Sequence, residues 1–382
     1  MTDLFDRAAW GLAPDVLHLN HGSFGAVPNV VRAEQDRWRD IIDANPTGFF
    51  SRRLADELDV VRRTAAQFLN ADSQGLVLLP NVTCAAAMVM ASVILERDDE
   101  VLITDDTYEA VRAAAGDACM RTGARLVQAS LPSTAFGDGR ALTRAIDHAL
   151  TPRTRLAIVD HITSPTAVLI DPGPTVDRCH ANGTAVFIDG AHAPGMLALD
   201  VGQYRADFYA GNFHKWCCAP RGAAFLAVAP EWRDRVRSPV PGSEAWQGFP
   251  IGLEWWGTMD YSALLATPVA LDVLRAHGVE PLRERNASVV NAGAALVSQA
   301  LGQQPVAPSP ISMVTLELPS RMASDAAACR ALRARIATEL GAEVVVTMAR
   351  GRAALRLSAQ AYNRHKDYEQ LAAYLRTLSA RI

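Results

Sequence analysis

The sequence predicts an α/β protein built on a doubly wound, mostly parallel seven-stranded sheet, with a smaller α/β domain at its C-terminal end. Three observations carry this. Short β-type runs alternate with helix-length segments through the first two-thirds of the chain. Most of those runs are apolar on both faces, as strands covered by helices on each side must be. The length of 382 residues exceeds what one small core needs and suits two domains.

In chain order the seven runs are Gly75–Leu79, Glu100–Thr104, Arg125–Ala129, Arg155–Asp160, Ala185–Asp189, Ala206–Ala210 and Gly222–Val228. The segments 82–96, 108–122, 140–150 and 174–182 are long enough for crossover helices, and several carry alanine at helix-favoured spacing. Residues 230–257 break the rhythm. They are rich in Pro, Gly and Trp and read as a loop of the kind that covers a site. A helical stretch over about 261–276 then links residues 1–260, the large domain, to residues 261–382, the small one. The small domain's strands are expected at Ser312–Glu317, Glu343–Thr347 and Ala353–Leu357, and its helices at 322–340 and 365–380.

Composition excludes several functions. Hydrophobic residues make up 49% and charged residues 20%, and the net charge is −4. That balance gives no electrostatic case for nucleic acid or a membrane surface as partner. Met1–Arg7 holds no apolar signal-type segment, and the most apolar run, Val82–Leu95, is too short to span a bilayer. The six cysteines are scattered with no C-x-x-C pair, so neither a metal site nor a disulfide framework is expected and the reducing cytoplasm is the default.

Only two of the 37 basic residues are lysines, Lys215 and Lys366. Arginine cannot lose a proton and attack a carbonyl; a lysine in the right surroundings can. Lys215 closes Ala206-Asp-Phe-Tyr-Ala-Gly-Asn-Phe-His-Lys215, an apolar strand pattern that runs into a polar turn. In open α/β sheets ligands sit beyond the carboxyl ends of the strands, so the polar residues there matter most. Thr83, in Pro80-Asn-Val-Thr83, opens a helix and can hold a phosphate on free amides, or the turn is an ordinary N-cap. Tyr108 follows the next run and can stack on a flat ring or sit on the surface. His161-Ile-Thr-Ser-Pro-Thr166 is a polar cluster that reads equally as a hydrogen-bonded turn. Asp189 ends a buried strand, where a carboxylate is costly without a partner such as a protonated pyridine nitrogen. Phosphate cradle, aromatic, carboxylate and lysine, in that order on successive strand ends, fit pyridoxal phosphate (PLP).

The segments Leu19-Asn-His-Gly-Ser-Phe-Gly-Ala-Val-Pro28, Asn81-Val-Thr83, His161-Ile-Thr-Ser-Pro-Thr166, Asp189-Gly-Ala-His-Ala-Pro-Gly195 and Phe208-Tyr-Ala-Gly-Asn-Phe-His-Lys-Trp216 resemble fold-type I PLP enzymes of the class V aminotransferase group. The likeness is strongest to enzymes of the isopenicillin N epimerase type and to those that process cysteine S-conjugates in sulfur and antibiotic pathways. The resemblance implies that Lys215 holds the cofactor as a Schiff base and then shuttles the Cα proton. It implies that Asp189 pairs with the ring nitrogen and that Tyr108 stacks on the ring. Val82, Thr83, Asn212 and His214 would bind phosphate, and His192 and Ser164 would lie near the ring's phenolic oxygen. Gly257 and Thr258 match a segment that reaches the neighbouring subunit's phosphate, which implies a homodimer. Arg356 matches the arginine that grips a substrate carboxylate; read from the strand pattern alone, its place between Leu355 and Leu357 suits a surface charge or a cleft equally. Asn20, His21, Ser23, Arg52 and Arg53 would line the substrate entrance.

A desulfurase needs a mobile cysteine shortly before the carboxylate arginine, and Thr347–Leu355 contains none. Two reactions remain. Elimination of a sulfur-bound group from Cβ, or a related decarboxylative deamination, needs one base. Epimerisation needs a second acid on the opposite face, for which Tyr108, His21 or His161 are the candidates. The lighter demand favours C–S elimination, and Trp246, Trp255 and Trp256 point either to a bulky substrate or to packing under the loop. A non-catalytic binding protein on the same fold is the alternative of another class, and an intact Lys215, Asp189 and Arg356 argue against it.

Overall fold

A computed structural model describes residues 3–130 and 139–381. Its centre is a seven-stranded sheet made of β2 (Leu76–Leu79), β3 (Glu100–Thr104), β4 (Arg125–Ala129), β5 (Thr154–Asp160), β6 (Ala185–Asp189), β7 (Phe208–Asn212) and β8 (Ala224–Val228). A short β1 (Leu17–His18) lies outside it. The order across the sheet is β2-β8-β7-β6-β5-β3-β4. The neighbours from β4 to β7 pair in parallel, and β8 runs antiparallel to both β2 and β7. The reversal has a simple cause: residues 213–223, between β7 and β8, are too few for a crossover helix. β2, β3, β6 and β7 are buried along almost their whole length, as their two-sided apolar pattern demands, whereas β4 at the edge exposes Arg125 and Gln128.

Helices cover both faces. Those expected from the sequence form as α5 (Val82–Ser92), α6 (Glu109–Thr122), α7 (Gly139–Ala149) and α8 (Gly173–Ala181). Before them come α1 (His21–Phe24), α2 (Asn29–Ala44), α3 (Pro46–Arg52) and α4 (Leu54–Leu69). The loop region is irregular apart from short turns of helix, including α9 (Ile251–Glu254). It is tied down by a buried ion pair: Arg62 of α4 meets Glu254 at 3.1 Å, and Glu254 Oε1 also accepts from the Leu78 amide on edge strand β2. Burial, opposed by Arg62, pushes the Glu254 carboxyl up to about 7.

The linking stretch is split into α10 (Ser262–Leu265) and α11 (Thr267–His277), with Pro268 in the first turn of the second. A helix the sequence pattern did not reveal follows, α12 (Val279–Ala300). The C-terminal unit has a three-stranded antiparallel sheet, β11-β12-β9, from β9 (Met313–Glu317), β11 (Val345–Ala349) and β12 (Arg352–Ser358), with α12 and α13 (Ala326–Leu340) against it and α14 (His365–Ser379) packed on α12. The two-residue β10 (Ala342–Glu343) pairs with β1, and Ser358 N donates to Leu19 O. The N-terminal segment therefore runs along the C-terminal unit before it reaches the large sheet.

Candidate active site

A cavity of about 240 Å³ opens beyond the carboxyl ends of the central strands. Asn81, Val82 and Thr83 follow β2, and Tyr108 follows β3. Asp160, Ile162 and Ser164 come from the end of β5, Asp189 and His192 from β6, and Asn212, His214 and Lys215 from β7. Ser23 and Phe24 close the ring from α1. The topology thus brings together at one mouth residues scattered over nearly 200 positions.

Lys215 sits with Nζ 3.2 Å from His192 Nε2. Burial and the nearby Arg356 push its amine down to about 7, against the opposite pull of Asp189. An amine near neutrality at physiological pH has a usable lone pair. The lysine's backbone is clamped by the N-terminal segment. His21, fully buried, bonds the Lys215 carbonyl through Nε2 at 3.0 Å and Tyr362 Oη through Nδ1 at 3.0 Å. Gly25, at φ +65, could not bear a side chain, since a Cβ there would lie 2.1 Å from the His214 carbonyl. This explains the Asn20–Gly25 motif as packing against the lysine turn.

Asp160 and Asp189 stand opposite each other in register on the parallel strands β5 and β6. Their side chains therefore share one face. Asp189 is buried and accepts from the Ala191 amide at 3.0 Å; among the described residues no cation pairs with it. Asp160 Oδ2 is buried with no hydrogen-bond partner. Burial raises both carboxyls, and for Asp160 the neighbouring Asp189 and Asp106 raise it further. Two carboxylates so placed oppose each other's ionisation, and the upward push is the stronger on Asp160. Asp160 is the site residue the sequence reading missed. Its only signal there was an acidic residue ending an apolar run, one strand before Asp189.

Arg356, near the end of β12, is 4% exposed, yet all its partners are neutral. One guanidinium nitrogen donates to the Ser164 carbonyl at 2.6 Å and to Ser164 Oγ at 3.1 Å. The other donates to Asn20 Oδ1 at 3.2 Å and Ser23 Oγ at 3.1 Å. Burial lowers its pKa to about 10. A buried cation without a carboxylate is costly, and it marks the place for an anion supplied from outside. Asn20 and Ser23 hold this arginine in place rather than standing free at an entrance.

At the other end, Asn81 caps α5 by accepting from the Cys84 amide at 2.9 Å, and Asn212 Oδ1 accepts from the Val82 amide at 3.1 Å. Val82 and Asn212 are thus bonded to each other. Thr83 stands exposed at the helix start, where its own amide and hydroxyl and the helix dipole favour a phosphate, the amides on either side being taken by Asn212 and Asn81. His214 bonds the Ala223 carbonyl through Nδ1, and burial lowers it to about 4.

Several expected residues lie elsewhere. Arg52 and Arg53 line a separate depression with Glu244, Gln247 and Trp255. His21 and His161 are outside the cavity's lining, as are Asn20 and Arg356, which adjoin it through Ser23 and Ser164, while Gly257 and Thr258, expected at a partner's phosphate, do not line this cavity either. His161 is buried against Tyr209 Oη at 2.7 Å and Tyr204 Oη at 3.4 Å. None of the three loop tryptophans lines the cavity. Trp255 stacks on Tyr261 at 6.1 Å, and Trp246 is 80% exposed. The packing alternative therefore explains Trp255, and the argument for a bulky substrate loses its support. Cys329 lies in α13, its Sγ 3.6 Å from Met348 Sδ, and the β11–β12 turn is a tight hairpin.

That hairpin ends in Arg350, at φ +47, whose guanidinium meets Asp106 at 2.5 Å in a pair with both side chains 1% exposed. Asp106, which also accepts from Thr166, lies two residues before Tyr108, so the pair joins the small sheet to the site loop. Asp106→Ala is expected to destabilise the protein by about 3–5 kcal/mol, because it strips a buried guanidinium of its carboxylate. Urea unfolding of the two proteins side by side would measure it.

The residues present suit PLP. The amine answers an aldehyde, the buried carboxylate without a cation answers a ring nitrogen, and the α5 N-terminus answers a phosphate. The comparisons agree. The model for the aminotransferase class-V family matches residues 20–371. The chain is 31% identical over 391 residues to isopenicillin N epimerase of Streptomyces clavuligerus, covering 96% of each protein. It is 30% identical to L-cysteine desulfhydrase of Arabidopsis thaliana, covering 93% of this chain and 86% of that one. Among solved structures, a variant of C-DES with glycine covalently linked to its PLP cofactor superposes with a TM-score of 0.82 at 19% identity, over 97% of this chain and 99% of that one. The cysteine desulfurase CsdA of Escherichia coli gives 0.78 at 20% identity, over 98% and 97%. At these identities the two structures attest the fold.

Proposed function

The chain belongs to the class-V aminotransferase family, whose enzymes work with pyridoxal phosphate, and we propose that it is a lyase breaking the Cβ–sulfur bond of L-cysteine or a compact S-substituted cysteine. The observation that carries this reading is the single well-placed base. Lys215 is the one amine at the cavity, and His21 and His161, two of the three candidates for a second acid, are buried in other hydrogen bonds away from it. Relatives named L-cysteine desulfhydrase support the substrate class, and the cavity's modest size supports a compact one.

Bound, the cofactor supplies a sink for the electron pair released at Cα. Arg356 takes the substrate carboxylate on its guanidinium fork and fixes the amino acid against Ser164 and Ser23. Lys215 would hold the cofactor and would take the Cα proton on its Nζ amine. Asp189, buried beside Asp160, would pair with the ring nitrogen's proton. Tyr108 covers the mouth. The sulfur group leaves from Cβ, and with one water the net products are thiol, pyruvate and ammonium. We further read the enzyme as a cytoplasmic homodimer. Thr258, exposed and outside this cavity's lining with Gly257, supports the dimer, and the free state of the described cysteines supports a reducing compartment.

Epimerisation is the second reading. It is favoured by Tyr108, the one other proton donor of the three at the mouth, and by the epimerase relative. Incubation with L-cysteine and its S-methyl derivative in D₂O separates the two. Elimination gives thiol, ammonium and pyruvate in equal amounts. Intact substrate with deuterium at Cα and inverted configuration, without pyruvate, contradicts the lyase.

A further inference from the structure

Trp216 follows the site lysine and is 2% exposed. Its indole Nε1 donates to His192 Nδ1 at 3.3 Å. An indole nitrogen only donates, so Nδ1 is an acceptor and carries no proton. The other ring nitrogen, Nε2, faces Lys215 Nζ at 3.2 Å. We propose that Trp216 is a positioning residue that locks His192 as its Nε2–H tautomer, so that His192 donates to the Lys215 amine and holds it in the unprotonated, nucleophilic form.

An ammonium has three N–H groups and accepts nothing, so facing it comfortably requires a lone pair on Nε2. Trp216 denies that lone pair by claiming Nδ1. A charged imidazole is no escape: burial first, then Lys215, Arg356 and His214, hold His192 well below its ordinary range. The groups acting on the lysine are His192, Asp189, His214 and Arg356. Asp189 favours the charged amine; burial and Arg356 oppose it, and they prevail. The hydrogen bond from His192 adds to the winning side.

The packing keeps the indole from swinging away. A Cβ on Gly22 would come within 3.2 Å of Trp216 Cζ2 and 3.5 Å of His192 Cε1, so α1 packs directly against both rings. On the other side Gly195, at φ +81, would set a Cβ 2.6 Å from the Trp216 carbonyl. The His21 ring packs on the indole with centroids 5.0 Å apart. Gly22 and Gly195, both within the sequence motifs, thereby gain a role through Trp216. Trp216 itself touches no reacting atom. It acts when the amine lone pair of Lys215 adds to the aldehyde carbon of the cofactor, a C=N bond forms and water leaves.

The consequence for capture rests on Lys215 being the cofactor's lysine; the tautomer itself does not. Two measurements on the full-length protein freed of cofactor test the pair. Long-range ¹H–¹⁵N correlation of the labelled imidazoles is expected to show His192 with its proton on Nε2 from pH 6 to 8. A proton on Nδ1, or an imidazolium, overturns the proposal. The rate of capture of added PLP, followed by absorbance from pH 6 to 9, reports the amine. In Trp216→Phe, Nε2 is free to become the acceptor and the midpoint is expected to rise by about one unit, which lowers capture at pH 7 about fivefold. A folded variant with an unmoved midpoint overturns the proposal, and if the variant does not fold, the wild-type spectrum decides. Wild-type protein that captures no PLP counts against the reading of Lys215, while the spectrum still judges the tautomer.

Discussion

Lys215→Ala is expected to abolish the visible absorbance band of the PLP-loaded protein and to cut turnover by roughly 10⁴-fold, the upper range for a positioned proton-transfer group. The reason is the double use of one amine. It is the nucleophile toward the cofactor and then the base at Cα, and no other lysine or free amine lines the cavity. Lys366, the other lysine, opens α14 on the surface. Lys366→Ala is the matched control and should leave both band and rate unchanged. Absorbance and steady-state assays of the two variants together separate a loss of cofactor attachment from a general loss of stability.

Arg356→Ala is expected to lower kcat/KM by roughly 10²–10⁴, expressed mainly in KM, while the cofactor band persists. The estimate follows from two charge-assisted hydrogen bonds to a substrate carboxylate at about 1.5–3 kcal/mol each, at tenfold per 1.4 kcal/mol. Arg356→Lys should recover only part of the loss. An ammonium cannot present the planar fork, nor bridge Ser164 on one side and Asn20 and Ser23 on the other as the guanidinium does. A cofactor band lost along with activity in Arg356→Ala would place the arginine in holding the cofactor instead.

The strand ends were legible in the sequence because two-sided burial leaves an unmistakable apolar run. Thr83, Tyr108, Asp189 and Lys215 follow from those runs and do meet at one mouth. What failed to show was anything set by pairing. Asp160 gains meaning only from standing in register with Asp189. The Arg350–Asp106 pair and the His21 clamp on Lys215 join residues 244 and 194 positions apart, and no local pattern announces such contacts. The antiparallel turn of β8 was hidden for a different reason: an apolar run does not say which way it points. Arg356 was ambiguous for another reason, since its place between Leu355 and Leu357 suited a surface charge and a cleft equally. The sheet places it inward against neutral partners, and that arrangement is the stronger sign of a ligand.

The account depends most on chemistry residing at Lys215. Borohydride reduction of the PLP-loaded protein fixes the cofactor to whichever amine holds it, and peptide mass spectrometry locates the label. The expected result is one phosphopyridoxyl group per chain, on the peptide carrying Lys215, with Lys366 unmodified. Label on Lys366 or the terminal amine, with Lys215 bare, would contradict the account.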